Sequence, residues 1–192
     1  MRFLSVLVVL LLSAGRYVEA AVTNLAINPG FEDLSGGTTN PPGWILFTTA
    51  NPSVEISSGK ARSGSHCLEL RAQGEQHRYS GAFQTLPVAP DGLYAFTVHV
   101  LKNPVSPLSG GAEGRILIEW QTNEGVEVGR IEGKPWSRLL SAARWQEVTI
   151  RRARAPADAE RANFCIHMSE EDEAGRGAYL LDDVIILLEP DE

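Results

Sequence analysis

Four histidines, 24 carboxylates and four tryptophans are the residues of this chain whose types could do chemistry. None falls into the spacing of an enzyme signature. There is no Gly-x-Ser-x-Gly elbow, no His-Glu-x-x-His, no phosphate loop and no Gly-x-Gly-x-x-Gly. His66, His77, His99 and His167 sit at unrelated spacings, which suits satisfied strand residues better than a catalytic metal set. A glycosidase needs two carboxylates facing each other about 5–10 Å apart across a cleft, and no local pattern provides them. The run Glu170-Glu171-Asp172-Glu173 reads as a solvated loop, and without a Gly turn it is a poor calcium loop of the EF type. Other polar side chains punctuate apolar runs: His99, Glu119, Gln121 and Arg151. Planar donors and acceptors on a sheet face can read hydroxyl groups by paired hydrogen bonds. The same residue types also make an ordinary solvated face.

The elements that must carry these residues are short. Tyr94, Phe96, Val98 and Val100 alternate with Ala95, Thr97, His99 and Leu101. Ile116, Ile118 and Trp120 alternate with Leu117, Glu119 and Gln121. The same period of two runs through Val148 and Ile150, and through Phe164, Ile166 and Met168. It predicts strands with one face in a core and one toward water. Leu180 to Leu188 is a closing, more uniformly apolar strand. Asn-Pro pairs at 28, 40, 51 and 103 and the turns Pro90-Asp91-Gly92 and Asn123-Glu124-Gly125 separate the runs. About nine strands at this spacing, with at most a helical turn in Lys134–Trp145 and another in Ala155–Arg161, predict an all-β, two-sheet antiparallel sandwich with a single core.

The first residues, MRFLSVLVVLLLSAGRYVEA, form a positive start, an apolar run and a Val-Glu-Ala cleavage site. Residues 1–20 therefore read as a secretory signal, leaving one domain over 21–192 in a secreted protein, extracellular or periplasmic. The apolar run is shorter than the roughly 20 residues a membrane span needs. A net charge of −7, with no basic run, argues against nucleic acid and anionic membrane as partners. Cys67 and Cys165 lie opposite the apolar phase of two strands. They bridge if those strands are neighbours with Cα atoms about 5.5 Å apart, and otherwise are two separate half-buried thiols.

The ordered set of local motifs carries a resemblance. NLAINPGFED is followed by PPGWILF, then SGKARSGSHCLEL, YSGAFQTLPVAPDGLYAFTVHV, RWQEVTI and the closing GAYLLDDVIIL. This order resembles carbohydrate-binding modules of the galactose-binding-like jelly-roll type, the group of families four, nine and twenty-two, over nearly the whole chain after residue 20. The resemblance implies a jelly roll, a poly- or oligosaccharide as partner, and no catalysis, so that any glycoside hydrolase it assists is a separate chain.

It also implies a structural calcium shared by Glu32, an acid of the closing strand and carbonyl oxygens of the loop Lys60 to Gly64. The family pattern points to Asp182, although Asp183 is its neighbour. Hard oxygen ligands suit Ca²⁺. The alternative is that Glu32 caps a turn and Asp182 pairs with Arg62 or Lys60. For the sugar, Trp44 and Trp145 match structural positions, and Trp120 shares the phase of a buried strand. Trp136 lies in a stretch without apolar period and is the expected exposed ring. Tyr79, after a polar stretch, is a second. With His99, Glu119, Gln121 and Arg151 they make the expected ligand set. Two other readings stand beside this one: an extracellular structural or protein-interaction sandwich without a glycan site, and a stand-alone glycan-active hydrolase or lyase.

Overall fold

The structure, a computed structural model, describes residues 23–49, 53–136 and 140–191. The expected signal segment and its cleavage site lie outside the described residues. Among the latter are ten strands: β1 (Ile45–Thr48), β2 (Val54–Ser58), β3 (His66–Arg71), β4 (Arg78–Pro87), β5 (Leu93–Lys102), β6 (Ala112–Gln121), β7 (Glu127–Glu132), β8 (Gln146–Arg154), β9 (Arg161–Glu170) and β10 (Ala178–Glu189). They form two five-stranded sheets. The first has the order β1-β4-β9-β6-β7 and the second β2-β3-β10-β5-β8. All pairings between the named strands are antiparallel. The expected two-sheet jelly-roll sandwich is the observed architecture. No helical turn forms at 134–145 among the described residues, and at 155–161 there is one hydrogen-bonded turn, the Ala159 N–H donating to the Pro156 carbonyl, but no helix.

The alternation read from the sequence places the core. Phe96, Val98 and Val100 of β5 meet Ile116, Ile118 and Trp120 of β6 and Phe164, Ile166 and Met168 of β9 between the sheets, all buried. Phe96 and Phe164 pack edge to face with ring centroids 5.5 Å apart. Full burial of each such side chain stabilises by roughly 1.5–3 kcal/mol, so these central strands carry the sandwich.

The two outer faces differ. On the second sheet, Cys67, Leu101 and Leu180 are buried beneath Ala61 and Trp145, so loops cover the middle of that face. This is why β5 is buried on both sides despite its alternation. Cys67 belongs to this covered face. Cys165 belongs to the outer face of the first sheet, because its neighbours Phe164 and Ile166 point into the core. The two thiols are free and lie on opposite layers. Layers pack about 10 Å apart, beyond the reach of a disulfide, so the separate-thiol alternative is the one realised.

The ends of the fold meet at a bulge in β10. The register slips between Asp182 and Ile185, and Asp183 takes a φ of 47° there. Val184 donates its N–H to the carbonyl of Pro29. Asn24 brackets the same stretch, donating to the Val184 carbonyl and accepting from the Ile186 N–H. The turn at Asn28 buries Phe31 against Trp44, with centroids 5.1 Å apart, and Trp44 Nε1 donates to the Asn28 carbonyl.

Candidate functional site on the outer face of one sheet

The outer face of the first sheet stands open, and its register lines up side chains in rows across the strands. One row runs Phe47, Gly81, His167, Arg115 from β1 through β4 and β9 to β6. The next, toward one end, joins Tyr79, Ser169 and Glu113. Toward the other end lie Phe83, Cys165, Leu117 and Glu132, and then Thr85, Asn163, Glu119 and Arg130.

The first rows make a floor of rings. His167 lies near parallel to Tyr79, at 5.4 Å and 21°, and to Phe47, at 6.2 Å and 22°. Phe47 also leans on Phe83 at 6.1 Å. Gly81 makes this possible. A Cβ there would stand 2.7 Å from the Phe47 ring and 2.1 Å from the Ile166 carbonyl oxygen. Tyr79 is 46% exposed, so one flat ring is offered to solvent. Flat rings of this kind pack on apolar faces of ligands.

Beside the rings is a cavity of about 270 Å³, lined by Tyr79, Arg115, Leu117, Arg130, Glu132, His167, Ser169 and Glu171. Arg115 Nη1 donates to Glu132 at 2.6 Å, and its Nη2 stands 3.5 Å from Glu113. Burial, reinforced by the Arg115 charge, pushes the His167 imidazole down to about 4. It is therefore neutral near pH 7, when one ring nitrogen carries a proton and the other a lone pair.

Farther along the face the polar groups satisfy one another. Thr85 Oγ1 donates to Asn163, Asn163 Nδ2 to Glu119, and Arg130 Nη2 to Glu119 and Glu127. Arg161 Nε donates to Gln121. Glu119 and Gln121 are thus on the open face but already engaged.

The six residues expected to bind ligand are not brought together. Tyr79, Glu119 and Gln121 share the open face. His99 and Arg151 belong to β5 and β8 of the other sheet, where His99 Nδ1 contacts the Asp183 carbonyl at 3.2 Å and Arg151 faces Glu147. Trp136 corrects the expectation of an exposed ring. It is only 3% exposed and packs edge to face on Tyr179, at 5.7 Å and 86°. Its amide donates to the Gly114 carbonyl, and Gly114 lacks the Cβ that would stand 2.5 Å from the indole nitrogen. Its stretch lacks apolar period because a single ring, rather than a strand, closes the core there. Trp136 also lines a cavity of about 620 Å³ between the edge strands β7 and β8, whose inner wall is Ile131, Leu140, Val148 and Ile150.

Glu32 and Asp182 do converge, on one loop. Asp182 Oδ2 accepts the N–H groups of Arg62 and Ser63, and Glu32 Oε1 those of Ser65 and His66. Between them Gly64 has a φ of 62°, and a Cβ there would lie 2.3 Å from Glu32 Oε1. Gly30 faces both acids: a Cβ on it would stand 3.6 Å from Asp182 Oδ1 and 3.8 Å from Glu32 Cγ. The Arg62 guanidinium pairs with Asp183 and not with Asp182. The His66 amide is foremost in holding the Glu32 carboxyl below its usual range. Burial raises the Asp182 carboxyl in spite of the Ser63, Asp183 and Arg62 amides. The loop expected to offer carbonyl oxygens to a calcium instead turns N–H groups toward both acids. Glu32 Oε2 is met by His66 Nδ1 at 3.0 Å. Among the described residues no group of three or more His, Cys, Asp or Glu side chains gathers as a metal set.

No protein-family profile matches the chain, and no curated protein matches it. Solved structures do. An enzymatically active domain of the bacteriophage CBA120 tailspike protein 4 aligns with a TM-score of 0.59 and 16% identity, over 86% of this chain. This chain spans only 21% of that domain's length. The carbohydrate-binding module TmCBM61, solved with β-1,4-galactotriose, aligns with a TM-score of 0.55 and 16% identity, over 87% of this chain and 99% of the module. The C-terminal family 22 carbohydrate-binding module of Clostridium thermocellum Xyn10B gives 0.51 and 17%, over 83% and 90%. At these identities the likeness is one of fold: this chain is a jelly-roll β-sandwich, as these modules are.

Proposed function

We propose that the protein is a secreted, non-catalytic module that binds a poly- or oligosaccharide on the outer face of the β1-β4-β9-β6-β7 sheet. The observation that carries this is the ring floor of Tyr79, His167 and Phe47 beside a polar cavity. A pyranose has apolar C–H faces and a rim of hydroxyl groups. The exposed Tyr79 ring takes the first, and Arg115, His167 and Ser169 take the second. Glu119 and Gln121 act from a step away by fixing Arg130 and Arg161. The covered middle of the opposite sheet offers no comparable floor, so His99 and Arg151 leave the ligand set. Solved modules of the same fold that bind sugars support the reading.

A glycan array probed with the protein lacking residues 1–20 tests it. Binding should appear, and Tyr79→Ala should weaken it about tenfold or more, since stacking and burial of one aromatic ring contribute roughly 1–3 kcal/mol. Trp136→Ala should act on stability first. A blank array would favour the protein-interaction reading.

A structural calcium belongs to the same proposal. Glu32 and Asp182 would hold it beside Gly30, where it would offset the buried Asp182 charge. EDTA should then lower the melting temperature and added Ca²⁺ restore it. A melting temperature that ignores both would remove the metal and leave the amide contacts of the Arg62–His66 loop to close this junction unaided.

A further inference from the structure

We propose that His167 and Arg115 act as a pair that reads one free hydroxyl group of the bound sugar, and so decide which sugars the face accepts. This rests on the reading of the face as a glycan site and adds the residues that set its selectivity. The two are directly opposed across β9 and β6, and both line the 270 Å³ cavity. Each keeps one buried polar atom with no hydrogen-bond partner in the protein: His167 Nδ1 and Arg115 Nε. Native proteins leave few buried polar atoms unpaired, because each has lost its water without a compensating hydrogen bond. Two such atoms in opposed residues of one cavity mark where a ligand atom belongs.

The surrounding contacts fix both groups. Tyr79 and Phe47 both lie near parallel to the imidazole and hold its plane. Glu132 and Glu113 engage the two terminal nitrogens of Arg115, and Nε–H is its buried donor without a protein partner. Arg115 can only donate. The pair takes His167 as the neutral tautomer with its proton on Nε2, which accepts at Nδ1. An oxygen that serves both must accept from Arg115 and donate to His167, which a hydroxyl does. A carboxylate, an O-methyl ether or an O-acetyl ester has no proton to give. Glu113, Glu132 and Glu171 around the pair further disfavour an anionic group. A sugar substituted or charged at this position is refused.

The test uses conservative variants of the whole protein after residue 20. His167→Phe keeps the ring stack and removes Nδ1. Arg115→Lys keeps the charge on Glu132 and removes Nε–H. Isothermal titration uses xylohexaose, β-1,4-galactotriose and cellohexaose as probes. Whichever probe the unsubstituted protein binds should be weakened about tenfold or more by Arg115→Lys, the scale of a hydrogen bond to a charged group, and about threefold to tenfold by His167→Phe, the scale of a neutral one. The double variant should be little weaker than the single ones, because both contacts serve one hydroxyl. His167→Phe should melt no lower than the unsubstituted protein. If it does not fold, Arg115→Lys carries the test. Variants that bind within twofold, while Tyr79→Ala abolishes binding, overturn the pair and leave the glycan face standing. An unsubstituted protein that binds none of the probes overturns both.

Discussion

At the scale of single residues, His167 joins folding to recognition. Its neutral form is favoured in the folded state, with burial as the main cause. Between about pH 6.5 and pH 4 the unfolded chain therefore binds a proton at this site that the folded chain does not. Stability should rise with pH across that window and be lost as pH falls through it, by up to about 3 kcal/mol for this group. Melting curves from pH 4 to 7 check this, and His167→Phe should flatten the slope in that interval. The sequence offered a means of finding this residue. His167 stands in the polar phase of Phe164, Ile166 and Met168, as His99 does beside Phe96 and Val98. Scattered spacing drew attention away from it, since spacing along one chain says nothing of rows across four strands. Trp136 shows the reverse error: a ring without periodic neighbours looked free because its cover, Tyr179 and Gly114, comes from elsewhere in the chain.

At the scale of elements, alternation told which side chains of each strand point outward, but not toward which of two outer faces. His99, Glu119, Gln121 and Arg151 have the same phase and lie on different sheets. That assignment depends on strand order, which is fixed by non-local packing rather than by any one strand's residues. Glycine positions are a second hidden layer. Gly81 sits where Phe47 crosses β4 to reach His167. Gly81→Ala should therefore destabilise by roughly 2 kcal/mol or more, as overpacking against backbone does, and should also disturb sugar binding. Urea denaturation measures the first effect and titration with the bound probe the second. The resemblance attached the loop Lys60–Gly64 to Glu32 and Asp182 through carbonyl oxygens, whereas the contacts are made by the stretch 62–66. Its inward-turned N–H groups were not legible, because backbone orientation leaves no trace in residue type.

At the scale of the whole molecule, the fold class and the group it resembles were legible, because alternation and turns repeat along the entire chain. The fate of the cysteines was not, since it turns on which layer each strand joins. With Cys67 and Cys165 on opposite layers, a reductant should leave the melting temperature unchanged to within about 1 °C. Burial, with Asp182 and Glu69 adding to it, pushes the Cys67 thiol up to about 12, and burial raises Cys165 as well. Both should resist alkylation at pH 8 until the protein is unfolded, when mass spectrometry should find two labels. The bulge in β10 has a further consequence, for synthesis. β10 is the middle strand of its sheet, between β3 and β5, and its bulge anchors the segment from Asn24 to Phe31. A nascent chain lacking β10 has neither a continuous second sheet nor a mooring for the segment from Asn24 to Phe31. Folding of this sandwich therefore waits until translation has passed the closing strand, and until then the apolar strands need a chaperone's shelter.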